Sequence, residues 1–160
     1  PPNTPVRHGQ VLEFGDLRLR MHHHGTAHTP SDLCVEVLGE QVTVVGDIAM
    51  GNRIANIDDG SYPGTFRYFD ALQAAAGPQL WAPGHGEPAR DLLESYGTFL
   101  RGIWEPCLQA VKDARDEAHA RALVLADRRV AARAAGMQGF ESNIGKYVSL
   151  AYLEAEKEAF

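Results

Sequence analysis

The sequence predicts an α+β domain in which mostly antiparallel strands come first and a helical tail follows. Three observations carry this expectation. Through residues 11–45, valine- and leucine-rich runs, the clearest of them alternating with a period of two, are separated by short turn signals. Beyond residue 90, apolar residues recur instead at steps of three and four. The composition, 44% hydrophobic and 22% charged over 160 residues, is that of one soluble globular domain with enough chain to bury a core.

Val11-Leu12-Glu13-Phe14 stops at the turn dipeptide Gly15-Asp16. Leu17, Leu19 and Met21 then alternate with Arg18, Arg20 and His22, which predicts a hairpin. Leu33 to Leu38 and Val42 to Val45 read as two valine-rich strands joined through Gly39-Glu40 at hairpin spacing. Gly51 to Gly64, with Asn52, Asn56, Asp58, Asp59, Gly60, Ser61 and Pro63, reads as a loop, long enough to suggest a functional one. Phe66, Phe69 and Leu72 set a helix over Thr65 to Ala76, stopped by Gly77-Pro78. Leu80-Trp81-Ala82 is a short strand leading into Pro83-Gly84-His85-Gly86.

The tail reads as three helices. Leu92 to Val111 carries one apolar face, with a kink expected at Pro106, and Glu117 to Ala135 is Ala- and Arg-rich. The third begins near Ser142-Asn143, both good N-cap residues, and places Ile144, Tyr147, Val148 and Ala151 on one side. Without internal repeat or linker, residues 1–160 read as a single unit: a strand-rich core over 1–90 and a helical extension over 91–160.

Fifteen Lys and Arg against 21 Asp and Glu give a formal charge of -6, with basic residues interleaved among acidic ones as in Lys112-Asp113-Ala114-Arg115. Such a surface repels phosphate backbones, so no nucleic-acid partner is expected. No window reaches the run of about 20 apolar residues that a membrane helix needs, no signal-peptide pattern is present, and no compartment is indicated. The two cysteines, Cys34 and Cys107, are too few for a disulfide framework and sit in no ligand motif. The chain opens Pro1-Pro2-Asn3 without methionine, from which removal of an upstream segment is expected.

Of the seven histidines, His8 and His119 read as solvated surface, and His22, His23 and His24 as a strand end with one or two solvated imidazoles. Three signals are sharper. His28-Thr29-Pro30-Ser31-Asp32 lies between two strands, Gly46-Asp47 follows one strand, and Pro83-Gly84-His85-Gly86 follows another. Histidine and aspartate at several strand ends, with glycines that let the backbone turn sharply beside them, are how a sheet builds a metal site on one rim. Singly, each has an ordinary role as well: Asp47 as a turn cap, His85 as a loop histidine bonded to backbone.

In this order the three motifs resemble the later half of the metallo-β-lactamase superfamily, over about residues 10–90. The resemblance implies half of an αββα sandwich. It also implies that His28 completes a first metal site, His85 a second, and that Asp47 bridges two ions, which ligand chemistry makes zinc, with iron or manganese less suited. Asp32 would either fix the His28 tautomer or cap the turn. The implied activity is a hydrolase in which a metal-bound hydroxide attacks an ester, thioester, amide or phosphoester. Two other readings are an iron-dependent sulfur dioxygenase-like relative, and an incomplete, non-catalytic fragment serving only as a packing or dimerisation module.

The last reading rests on a gap. The superfamily's H-x-H-x-D-H motif is absent: His22-x-His24 has its first spacing, but Thr26-Ala27 stand where Asp-His would be needed. By resemblance the chain is the C-terminal portion of such a domain. One sheet with its helices would then expose an apolar face, to be covered by the missing N-terminal half or by a second copy, as in a strand-exchanged homodimer. The tail resembles an extension in one hydrolase-like branch and reads as packing surface before substrate cap.

Overall fold

The computed structural model describes residues 4–54 and 56–159. Five strands, β1 (Val11–Phe14), β2 (Leu17–His22), β3 (Cys34–Val37), β4 (Val42–Gly46) and β5 (Leu80–Pro83), form one sheet in sequence order. The first three pairings are antiparallel and β4–β5 is parallel. Tight connections suffice for the hairpins: Phe14 pairs with Leu17 across Gly15-Asp16, where Gly15 has φ +65°. A parallel neighbour needs a crossover, and helix α1 (Tyr62–Ala76) supplies it between β4 and β5.

The α1 helix starts three residues earlier than the Thr65 expected from its apolar spacing. Ser61 caps it by accepting the Gly64 N–H, and Pro63 in the first turn has no N–H to leave unpaired. The tail holds four helices rather than three: α2 (Leu92–Lys112), α3 (Glu117–Ala126), α4 (Arg128–Ala134) and α5 (Phe140–Ala159). The expected helix over Glu117 to Ala135 is split at Asp127, whose extended backbone ends α3 and whose carboxylate accepts the Arg129 N–H that opens α4. The α5 helix begins at Phe140, ahead of Ser142-Asn143. Those two side chains donate to the Gly139 carbonyl instead of capping the helix. The α2 helix runs on through Pro106.

Pairing register sorts the sheet into two unlike faces. Leu12, Phe14, Leu17, Leu19, Met21, Val35, Val37, Val42, Val44, Leu80 and Ala82 all fall on one side. No polar residue of the paired strands interrupts it, yet Phe14 is 61%, Leu17 42% and Val44 45% exposed, and most of the others are half-buried. The opposite side carries Cys34, Thr43, Val45 and Trp81, all buried, with Cys34, Val45 and Trp81 joining a core built with α1 and the tail. A second sheet layer over the first face is absent among the described residues.

Aromatic packing fastens the tail. Tyr62 stacks on Trp104 with ring centroids 5.9 Å apart, and its hydroxyl donates to the Tyr147 carbonyl at 3.0 Å. Tyr96 and Tyr147 hydroxyls lie 3.3 Å apart in the same interior, where burial pushes the Tyr62 and Tyr96 phenols far above the ordinary range and so keeps them neutral. Among the described residues, no helix is long and apolar enough to cross a membrane.

Candidate metal centre

Asp47 and His85 are far apart in sequence and adjacent in space. Each follows the C-terminal end of its strand, and because β4 and β5 are parallel those ends emerge on the same rim. His85 Nε2 lies 3.8 Å from Asp47 Oδ1, with both side chains about two-fifths exposed. The Gly84 N–H donates to the Gly46 carbonyl at 2.9 Å and ties the two loops together. The absence of a side chain at position 84 leaves room for the Asp47 carboxylate, since a Cβ there would stand 2.3 Å from Asp47 Oδ1. Glycine is required at position 86, where φ is +91° and a Cβ would meet the Gly51 Cα at 2.8 Å.

The loop beyond Asp47 is held from the tail. Arg133 of α4 donates to the carbonyls of Met50 and Gly51, and the Gly51 N–H in turn donates to the His85 carbonyl. Asn52 and Ile54 exchange backbone hydrogen bonds with Gln138. The long loop after β4 is therefore anchored to the helical extension on the side that carries His85.

His28 sits in the segment between β2 and β3, and β3 enters the sheet antiparallel to β4, with Val35 paired to Val44 near the end of β4. Asp32 Oδ2 accepts the backbone N–H groups of Ala27, His28 and Thr29 at 3.1, 2.7 and 2.9 Å, and Oδ1 accepts the Thr29 hydroxyl. Asp32 thus caps the turn that carries His28 and does not touch its ring. Among the described residues, the only three metal-capable side chains with ligand atoms all within 4.8 Å of one another are His8, His22 and His24. The structure brings Asp47 to His85 and leaves His28 outside such a three-way cluster with them.

The His22–His24 run is a strand end with one exposed imidazole, His23, as expected, but His22 is enclosed. His22 is 1% exposed, and its Nε2 lies 2.8 Å from Glu36 Oε2, itself on a buried residue. Cross-strand register accounts for this: His22 pairs with Cys34 and Arg20 with Glu36, which places His22 and Glu36 on the same buried face. His22 Nδ1 and His24 Nε2 are buried without a hydrogen-bond partner. His8 is exposed, as expected, but its ring lies 4.7 Å from that of His24. Burial first, and then the neighbouring imidazoles of His8, His22 and His23, hold His24 below the ordinary histidine value. Sequence reasoning missed Glu36 and His8 because neither stands in a local motif; the His22-x-His24 spacing was the one available signal.

No family model matches the chain, and no curated protein does. Solved structures do: a metallo-beta-lactamase from Pontibacter korlensis superposes with TM-score 0.54 at 17% identity, over 58% of this chain and 46% of that one. The stereoselective inverting sec-alkylsulfatase Pisa1 from Pseudomonas sp. superposes with TM-score 0.71 at 14% identity, over 96% of this chain and 26% of that one. The chain carries part of the metallo-β-lactamase fold. It spans less than half the length of either of these neighbours, consistent with a single sheet layer where the metallo-β-lactamase fold has two. The alkylsulfatase likeness takes in the helical tail as well as the sheet.

Proposed function

We propose that this chain supplies part of the centre of a metal-dependent hydrolase, with His85 and Asp47 on one ion, His28 on a neighbouring one, and Asp47 shared between them. The observation that carries the reading is the 3.8 Å separation of His85 Nε2 and Asp47 Oδ1. Two donors held at about 2.0–2.2 Å from one tetrahedral zinc lie roughly 3.4 Å apart and slightly more when the angle opens, so the pair fits an ion with little movement. A bound divalent ion would polarise the acyl, phosphoryl or sulfuryl oxygen of an ester and acidify water beside it.

The chain's own residues supply the positioning. Gly84 leaves room for the Asp47 carboxylate, the Gly84–Gly46 hydrogen bond fixes the spacing of the two loops, and Asp32 sets the backbone that presents His28. The half-exposed state of both Asp47 and His85 leaves the rim open to a substrate. The reading is tested in the complete protein by assaying Asp47→Ala and His85→Ala on carboxylic ester, thioester, lactam, phosphoester and secondary alkyl sulfate substrates. A fall in turnover of about a hundredfold or more on at least one class is expected. Full activity in both variants would remove the reading.

A second reading follows from the sheet's uninterrupted apolar face. We propose that a partner layer, either the N-terminal half of the fold or a second copy of this chain, covers Phe14, Leu17 and Val44. If that layer also brings the missing ligands, the isolated chain is a packing module without turnover. Sedimentation of the purified chain should then show self-association that Val44→Asp weakens, and a stable, active monomer would refute it.

A further inference from the structure

We propose that His8, His22 and His24 form a separate transition-metal site, suited to zinc, on the same face of the fold as Glu36. Local structure first sets the three rings together. Gly9 donates to the Met21 carbonyl at 2.8 Å and Met21 to the Gln10 carbonyl at 2.9 Å, which lays the segment before β1 alongside the end of β2. The His23 N–H then donates to His8 Nδ1 at 3.2 Å. Positions 22 and 24 are two residues apart and their rings stack with centroids at 5.8 Å. His23, between them, is committed elsewhere through Nδ1 to the Asp32 carbonyl at 2.8 Å.

The chemistry of the donor set follows. Glu36 accepts a hydrogen bond from the Nε2–H of His22, which favours the tautomer that leaves Nδ1 with a free lone pair, as carboxylates do behind metal-bound histidines. That Nδ1 is buried and has no protein partner, and neither has His24 Nε2. Buried nitrogens without partners are costly, and two of them converging beside a third imidazole call for a common ligand. The three ligand atoms lie within 4.8 Å of one another, whereas nitrogens around one zinc lie about 3.4 Å apart, so a small movement of the exposed His8 ring that frees its Nδ1 from the His23 N–H completes the site. Burial and the adjacent rings favour neutral His24, the form that binds metal. Three imidazoles suit zinc, copper, nickel or iron over magnesium or calcium, and they leave a fourth position open.

The test removes the other centre first. In the Asp47→Ala/His85→Ala double variant of this chain, stripped of metal and titrated with Co²⁺, one equivalent should bind with visible absorption of low-symmetry cobalt and be displaced by Zn²⁺. His8→Ala and His24→Ala in that background should each weaken binding about tenfold or more, and Glu36→Gln by about tenfold. His23→Ala should leave it unchanged. Absence of binding in the double variant overturns the proposal. So does equal loss from His23→Ala and His24→Ala, which would mean loose capture by a histidine run, or insensitivity to His8→Ala.

Discussion

Asp47 Oδ1 stands where a side chain at position 84 would begin, 2.3 Å from the Cβ that Gly84 lacks. The obstructing atom is the end of a flexible side chain, so the fold can absorb an alanine by swinging the carboxylate aside. Gly84→Ala should therefore leave stability within about 0.5 kcal/mol of the original while weakening metal binding by the Asp47–His85 pair. Gly86→Ala is the contrasting case, because it meets backbone at 2.8 Å from a φ of +91° and should cost about 1–3 kcal/mol. Thermal denaturation and zinc competition titration on both variants check the pair; the reverse order of effects would contradict the assignment.

Asp32 holds the turn that carries His28 by accepting three consecutive backbone N–H groups. Asp32→Ala leaves those donors to water or to one another and should cost about 1–3 kcal/mol in chemical denaturation. Asp32→Asn keeps one carbonyl acceptor and should recover part of the loss. Equal stability of the alanine variant and the original would show that the turn does not depend on the carboxylate.

Arg133 links the tail to the candidate centre through the carbonyls of Met50 and Gly51, while its guanidinium lies 5.5 Å from the Tyr96 ring centroid. Hydrogen bonds from a charged donor contribute about 1.5–3 kcal/mol, so Arg133→Met should destabilise by that order. Amide exchange should quicken at Gly51, whose N–H rests on the His85 carbonyl. Unchanged protection at Gly51 would show that α4 does not brace this loop.

Asp127 gives a pH signature. The Arg129 side chain first, and then its backbone N–H, hold the Asp127 carboxyl below its ordinary 3.8. A carboxylate with a depressed folded value stabilises at pH above 3.8, and that contribution fades as pH falls through the lower folded value. Asp127→Ala should cost about 0.5–2 kcal/mol near neutral pH, the size of a lost N-cap, and the gap should narrow in acid. Denaturation curves at several pH values check it; a gap that widens in acid would have the wrong sign.

Local rules made much of the fold legible. Gly15-Asp16 and Gly39-Glu40 marked both hairpins, and Gly77-Pro78 marked the end of α1, because turns and helix ends are decided by a few adjacent residues. Helix starts read less well: Ser61 capped α1 from within the apparent loop, and Asp127 divided what its composition joined. Both depended on a single side chain meeting a backbone N–H, a contact that apolar periodicity does not encode.

By itself, the sequence determined the two hairpins, the helical tail and the presence of His28, Asp47 and His85 at loop positions after or between strands, since each follows from spacing and turn chemistry within about ten residues. Tertiary structure alone decided which of them meet. The parallel pairing of β4 and β5 set Asp47 against His85, and the register of β2 on β3 buried His22 against Glu36. It also turned Asp32 toward backbone and drew His8 beside His24. The reason is geometric: a side chain's type is written at its own position, whereas its neighbour across a sheet is fixed by the alignment of segments that are distant in the chain.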